Sequence, residues 1–262
     1  MLRIKRLIIS FCVIIIAATS FVYLRTLYTV PVLMYHSVNP QTNPVMRRLI
    51  VSPDAFEKQM RFLKTHNYNV VPLEKVGQLI RDKKKIPFKT VAITFDDGFK
   101  DNYIYAYPVL KKLGLPATIF IIYDEVGRTQ GDRLSWDEIK QMQASGLISI
   151  GSHTFGPVPL VDIKSEGELR RQIIDSKRTI EERLKTAVNT FSYVGGMFNE
   201  HIKSLVKEAG YKYAVTTALG REFSNQDIYA IKRVRISSSS DNIIDFWARL
   251  SGYYNSFRNK NK

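Results

Sequence analysis

Short apolar runs alternate with amphipathic segments along most of the chain. The runs are continuous in hydrophobicity, which is typical of parallel strands that are buried on both faces. They predict strands at 31–35 (PVLMY), 69–71 (NVV), 90–95 (TVAITF), 117–122 (ATIFII), 147–151 (LISIG), 190–194 (TFSYV), 213–217 (YAVTT) and 230–236 (AIKRVRI). Helical signals lie between them. Ser52, for example, is a predicted N-cap before Pro53, with Phe56, Met60 and Leu63 on one helix face.

The repeated order of strand and helix predicts one parallel α/β domain. Seven or eight strands favour a closed barrel over an open sheet, and in a barrel the functional residues collect where the strands end. The residues at these points are His36, Asp96 with Asp97, Asp124, His153, Gly195 with Gly196, and Arg235. Two histidines and an Asp pair at such points indicate a site at this rim.

The N-terminus has a different pattern. Three basic residues precede an uncharged stretch from Leu7 to Leu24, which is just long enough for a helix that crosses a bilayer. We therefore predict a membrane anchor at 1–28, a barrel domain at 29–262, and a single-pass protein of the cell membrane whose domain is extracytoplasmic. A cleaved signal peptide is the alternative, although residues 17–20 (AATS) are a poor cleavage site.

The amino-acid composition excludes some classes of partner and some types of catalysis. Lysine and arginine (39) outnumber aspartate and glutamate (24), which gives a net charge of +15 and favours anionic surroundings. The charge is scattered and no nucleic-acid-binding motif is present, so nucleic acid is not an expected partner. Cys12 is the only cysteine, which excludes an intrachain disulfide and cysteine-based catalysis. The oligomeric state is not indicated.

The motif TFDDGF at 94–99 places Asp96 and Asp97 side by side at a predicted strand end. Adjacent carboxylates repel each other unless a cation or a shared proton lies between them. One of them can bind a metal while the other takes a proton from water, and Gly98 allows a sharp turn. A simple Asp-Asp-Gly turn is the alternative, but His153 beyond another strand favours a site.

Four segments together resemble the polysaccharide deacetylases of carbohydrate esterase family 4, which contain the NodB homology domain. They are PVLMYHSV (31–38), VAITFDDGF (91–99), GSHTF (151–155) and FSYVGGMFN (191–199) with EAGYKYAVTT (208–217). The resemblance runs from Pro31 to Leu250. It implies a deformed (β/α) barrel, here of about seven strands, that hydrolyses N-acetyl groups of an N-acetylglucosamine-containing polysaccharide. It also implies a divalent metal, for which zinc, cobalt and nickel are the candidates.

The same resemblance implies roles for individual residues. Asp96 matches the general base, Asp97 the metal-binding carboxylate, and His153 the first metal histidine. The backbone N–H of Gly195 matches a donor to the tetrahedral oxyanion. The family's usual late histidine motif is not found in this sequence, so His36 is the candidate proton donor, with a structural role under the site as the alternative.

Two further side chains are candidate substrate contacts. Tyr193 can stack on a sugar ring, although aromatic residues are more often part of a core. Arg235, and with it Arg233, can orient Asp96 or the sugar, although a solvent-facing position is the alternative.

The chain departs from the family pattern at Pro157, where a second metal histidine is usual, and at Val194, where a proline is usual. A hydrolytic metal site normally has three protein ligands. The alternative function is therefore a catalytically impaired relative that binds glycan or acts as a wall-associated protein.

Overall fold

A computed structural model of the chain describes residues 2–27, 30–41, 46–84, 86–130, 132–217 and 227–252. The strands are β1 Val32–Tyr35, β2 Ser37–Val38, β3 Ile50–Val51, β4 Asn69–Val70, β5 Thr90–Phe95, β6 Ala117–Ile121, β7 Ile148–Ser152, β8 Thr190–Ser192, β9 Tyr213–Thr216, β10 Ile231–Lys232 and β11 Val234–Arg235. The α-helices are α1 Leu2–Leu27, α2 Pro53–Thr65, α3 Leu73–Arg81, α4 Tyr107–Leu113, α5 Trp136–Ala144, α6 Glu166–Arg170, α7 Ser176–Leu184, α8 Glu200–Glu208 and α9 Ile243–Leu250. Two π-helical turns cover Asn102–Ala106 and Arg171–Asp175.

The main sheet runs in the order β10, β9, β8, β7, β6, β5, β1, β11, and its strands pair in parallel. β10 and β11 stand at opposite ends of this order, yet only Arg233 separates them along the chain. The sheet therefore returns to its starting point and forms a nearly closed barrel, which confirms the predicted (β/α) architecture. The predicted strand at 230–236 is interrupted at Arg233, because its first half pairs with β9 and its second half with β1.

Two apolar clusters hold the barrel together. The larger one lies between the strands and the surrounding helices and includes Phe56, Met60 and Leu63 of α2. The predicted cap of that helix is confirmed, since the Ser52 hydroxyl accepts from the Ala55 N–H at 3.2 Å. Burial of such side chains is the main source of folding free energy.

The smaller cluster joins α3 to residues near the beginnings of the strands, among them Val32, Ala92 and Ile231. Gly77 brings α3 so close to the sheet that a Cβ there would lie 2.2 Å from the ring of Tyr213. α3 therefore covers the amino-terminal end of the barrel, which leaves the carboxyl-terminal rim for chemistry.

The described part of the chain contains no helix whose length and hydrophobicity would let it span a membrane. This finding contradicts the predicted single-pass membrane location. A helix does form at Leu2–Leu27. The domain boundary at 29 stays a prediction, and residues 253–262 lie outside the described part.

Candidate active site

The predicted site residues follow directly after strands of the barrel. His36 follows β1, Asp96 and Asp97 follow β5, and His153 follows β7. Because parallel strands all end at the same rim, these side chains meet although they are distant in sequence. His36 is close enough to the two aspartates and to His153 for their charges to act on its pKa.

His153 lies between the two carboxylates of the motif. Its Nε2 is 3.4 Å from Asp97 Oδ1 and 4.0 Å from Asp96 Oδ2. The side chain of Asp97 is 22% exposed and that of Asp96 only 2%, so Asp97 faces the solvent side and Asp96 lies beneath it. Asp97 takes a left-handed backbone conformation (φ 67°), which aspartate tolerates better than most residues. The sharp turn thus directs the two adjacent side chains to different depths.

The other ring nitrogen of His153 determines its orientation. Nδ1 lies 2.7 Å from the carbonyl oxygen of Ser192, at the end of β8. A carbonyl only accepts, so Nδ1 carries a proton and donates it to Ser192, and Nε2 is the ring nitrogen that faces Asp97. A backbone carbonyl behind a histidine is the usual support of a metal-binding imidazole.

Asp96 is bound by a buried arginine. Both terminal nitrogens of Arg233 donate to its carboxylate oxygens at 2.6 Å, and they also donate to the hydroxyls of Thr94 and Ser192. Burial alone would raise the pKa of Asp96, but the charges of Arg233 and then His153, with the hydrogen bonds of Arg233, hold it well below its usual range. Asp96 is therefore a carboxylate at neutral pH.

Arg233 is the arginine that contacts Asp96, whereas the sequence pattern made Arg235 the first candidate. Arg235 is exposed, and its carbonyl accepts from the Arg249 side chain at 2.8 Å. Arg233 instead lies at the break between β10 and β11, where its side chain turns into the barrel and is fully buried. A charged residue in the middle of a barrel-closing strand was the available signal, because a charge buried there requires a partner of opposite sign.

His36 is 8% exposed, and its Nδ1 has no hydrogen-bond partner among the described residues. Burial lowers the pKa of His36, and the charges of Asp96 and Asp97 offset this only in part. The ring is therefore neutral near pH 7. Its position beside the carboxylates is compatible with both a proton-transfer role and a structural one.

Tyr193 belongs to the core, which corrects its prediction as a substrate contact. Its hydroxyl donates to the Tyr229 carbonyl at 3.0 Å, and its backbone N–H donates to the Val215 carbonyl at 3.2 Å. Its ring stacks on Phe198 with centroids 4.5 Å apart, and burial raises the pKa of the phenol. Both polar groups and the ring face of Tyr193 are thus engaged inside the protein.

Gly195 lies exposed in the turn after β8, with a left-handed backbone (φ 64°). The Thr217 hydroxyl donates to its carbonyl at 2.9 Å, and the Thr216 hydroxyl donates to the carbonyl of Gly196 at 2.6 Å. Val194 replaces the usual proline here, and two threonines of the neighbouring strand end hold the turn instead. A Cβ at Gly196 would lie 2.0 Å from the Thr217 hydroxyl, so this position requires glycine.

Asp97 and His153 fit a divalent cation in chemistry and in spacing. Two ligands of one tetrahedral zinc ion, each about 2.0–2.1 Å from the metal, lie about 3.3 Å apart, and these atoms are 3.4 Å apart. A third donor is missing from the described residues, which contain no group of three or more His, Cys, Asp or Glu side chains suited to a metal. Pro157, which stands where a second metal histidine is usual, is exposed in a tight turn. In this turn the Val158 N–H donates to the Gly156 carbonyl at 2.9 Å.

Comparison with known proteins finds relatives that are all named as deacetylases of polysaccharides. The polysaccharide deacetylase family profile matches residues 83–214. YxkH of Bacillus subtilis, whose name assigns it to the polysaccharide deacetylases, is 35% identical over 207 residues, which cover 79% of this chain and 71% of that protein. The poly-beta-1,6-N-acetyl-D-glucosamine N-deacetylase of Staphylococcus aureus strain MRSA252 is 30% identical over 208 residues, or 75% of this chain and 71% of that protein.

A solved structure agrees with these sequences. The polysaccharide deacetylase BC0361 of Bacillus cereus superposes with a TM-score of 0.73 and 31% identity, over 84% of this chain and 68% of that one. The family profile match at 83–214 includes β5 and β7, after which the clustered aspartates and His153 lie, and these matches confirm the resemblance drawn from the sequence motifs. This chain belongs to the polysaccharide deacetylase family.

Proposed function

We propose that the protein hydrolyses the N-acetyl groups of an N-acetylglucosamine polymer in a metal-dependent reaction. Poly-β-1,6-N-acetylglucosamine is the first substrate to test, because a relative of 30% identity is named for its deacetylation. The reaction breaks the C–N bond of the acetamide, adds water across it, and yields acetate and a free amine on the sugar.

The observation that carries this proposal is the arrangement of His153 and Asp97. Nε2 of His153 lies 3.4 Å from Asp97 Oδ1, while Nδ1 is anchored on the Ser192 carbonyl. Zinc, cobalt or nickel held by this pair would polarise the acetamide carbonyl and lower the pKa of a bound water. With two protein ligands among the described residues, we expect the ion to be bound weakly.

Asp96 is assigned the role of general base. It is ionised at neutral pH, and it is held rigidly by Arg233 at 2.6 Å on each oxygen. Each carboxylate oxygen has two lone pairs, so both oxygens can still accept a proton from water after binding the guanidinium. The low pKa makes Asp96 a weak base, and its rigid position is therefore its main contribution to catalysis.

His36 and Gly195 are assigned the remaining steps. The acetamide nitrogen must gain a proton as it leaves, and buried His36, with Nδ1 unpartnered among the described residues, is the candidate to deliver it. Its neutral ring would take up the proton that Asp96 removes from water and pass it to the nitrogen. The Gly195 N–H, in an exposed turn at the same rim, would donate to the oxyanion that forms on the acetamide carbon.

A second function is a glycan-binding relative that has lost catalysis. It is favoured by Pro157, which is exposed where a metal-binding histidine is usual. The buried pair of Asp96 and Arg233 argues against it. A buried ion pair is costly to desolvate and is often neutral or destabilising relative to apolar residues, so a pure binding protein has little reason to keep it.

The test uses the full chain, first treated with a chelator and then reloaded with zinc, cobalt or nickel. Acetate release is measured on β-1,6- and β-1,4-linked N-acetylglucosamine oligomers, with Asp96→Asn as the control for contaminating activity. Metal-dependent release that Asp96→Asn lacks is the expected result. Oligomer binding without acetate release under every metal would support the second function and rule out the first.

A further inference from the structure

The loop that follows β7 and carries His153 is held by the side chain of Gln172. Its Oε1 accepts from the backbone N–H groups of Phe155 at 3.1 Å and Gly156 at 2.8 Å. Its backbone carbonyl also accepts from the Phe155 N–H at 3.2 Å. Gln172 is only 3% exposed, so these bonds form away from competing water.

The amide of Gln172 is held in one orientation. Its Nε2 donates to Glu168 Oε1 at 2.7 Å, which keeps Oε1 directed at the loop. Gln172 belongs to the π-helical turn Arg171–Asp175 that joins α6 to α7. Such turns are rare and are frequent at functional sites.

The loop needs this support because its backbone is strained. Thr154 directly follows His153 and is a buried, β-branched residue with φ 73°. This left-handed conformation is unfavourable for a β-branched residue, because its Cβ crowds the neighbouring backbone. Hydrogen bonds on both sides maintain it: the Thr154 hydroxyl donates to the Gly156 carbonyl at 2.6 Å, and the Tyr123 N–H donates to the Thr154 carbonyl at 3.2 Å.

We propose that Gln172 is a positioning residue for His153. By fixing Phe155 and Gly156, it keeps the strained turn at Thr154 closed and so keeps Nε2 of His153 beside Asp97. The inference rests on the proposed function, because the consequence of this position is metal affinity. Gln172 itself touches neither the substrate nor the two metal donors.

Gln172→Leu removes the two acceptor bonds while preserving approximate size. We expect its affinity for Co²⁺, measured by titration calorimetry, to fall about tenfold or more, as is usual when support behind a metal ligand is lost. The exchanged pair Gln172→Glu with Glu168→Gln keeps an acceptor for the loop N–H groups and reverses the bond between the two side chains, with residue 168 now the donor, so we expect it to recover most of the affinity. This variant also keeps the test decisive if Gln172→Leu does not fold.

Gln59 offers a matched control. It is equally buried (1%), lies on α2, accepts from the Tyr35 hydroxyl at 2.7 Å and donates to the Ser240 carbonyl at 2.8 Å. Gln59→Leu should lower the midpoint of urea unfolding and leave Co²⁺ affinity unchanged. If Gln59→Leu weakens Co²⁺ binding as much as Gln172→Leu, or if folded Gln172→Leu binds Co²⁺ like the wild type, the inference is overturned.

Amide hydrogen exchange of the metal-free protein separates this inference from the proposed function. In Gln172→Leu, the amides of Phe155 and Gly156 should exchange at least tenfold faster than in the wild type. If the wild type binds no Co²⁺ and releases no acetate, the proposed function fails, and exchange alone decides the inference. Faster exchange confined to residues 153–158 then supports the positioning role of Gln172, and unchanged exchange overturns it.

Discussion

Arg233 and Asp96 form a fully buried bidentate ion pair, with each terminal nitrogen of the guanidinium 2.6 Å from one carboxylate oxygen. Arg233 is also the residue at which the chain passes from pairing with β9 to pairing with β1. The residue at which the barrel closes is therefore also the residue that pairs with the buried carboxylate of the site.

Replacing Arg233 by methionine should strongly destabilise the protein. The substitution keeps the volume roughly but leaves the Asp96 carboxylate buried without its partner, which typically costs about 3–5 kcal/mol. Urea unfolding at pH 7 measures this loss. Arg235→Met is the control, because Arg235 is exposed and surface changes are usually within about 0.5 kcal/mol. Equal losses in the two variants would contradict the assignment of Arg233.

The stability contributed by Asp96 should depend on acid pH. Its folded-state pKa is lowered below the unfolded value of about 3.9, so its contribution is fully present above about pH 4 and is lost as the pH falls further. Asp96→Asn cannot titrate. The difference in unfolding free energy between wild type and Asp96→Asn should therefore be largest near pH 7 and shrink below about pH 4. A difference that stays constant down to pH 2.5 would count against this prediction.

Asp96→Asn and Asp97→Asn should have different effects. Loss of a general base typically lowers kcat by about 10²–10⁴-fold, so Asp96→Asn should bind Co²⁺ nearly as the wild type does and release little acetate. Asp97→Asn should instead weaken Co²⁺ binding, and asparagine tolerates the left-handed backbone at this position (φ 67°). Calorimetry and acetate assays on the folded variants distinguish the two. Full activity in Asp96→Asn would exclude it as the base.

Pro157→His should increase metal affinity and the rate of deacetylation, since it supplies the third donor that the described residues lack. Pro157 is exposed, so the change should cost at most about 1 kcal/mol, chiefly from the freer unfolded chain. Pro157→Ala is the control that removes the ring without adding a donor. If both folded variants bind Zn²⁺ equally, then a ligand does not reach the ion from this position of the loop.

Several features could be predicted from the sequence because they are local. Buried strands appear as continuous apolar runs, and the observed strands Thr90–Phe95 and Ala117–Ile121 lie within the predicted ranges. Parallel strands then bring their ends to one rim, so Asp96, Asp97 and His153 could be grouped despite their distance in sequence. The family could also be recognised from these motifs.

Other features depended on tertiary contacts. Arg233 and Arg235 are two residues apart in one apolar segment, and the break in pairing between β9 and β1 decides which of them is buried. Tyr193 follows a strand like the true rim residues, but its hydroxyl meets the Tyr229 carbonyl inside the core. Gln172 carries no motif at all, and its contact with the His153 loop exists only because a π-helical turn directs it there.

The main strands of the barrel and the residue types at their ends could be read from the sequence, because hydrophobic periodicity and residue type are properties of short segments. The partner of Asp96, the orientation of His153 and the absence of a third metal donor among the described residues became visible in the folded chain alone. Each of these depends on distances between segments, and strand pairing and packing set those distances.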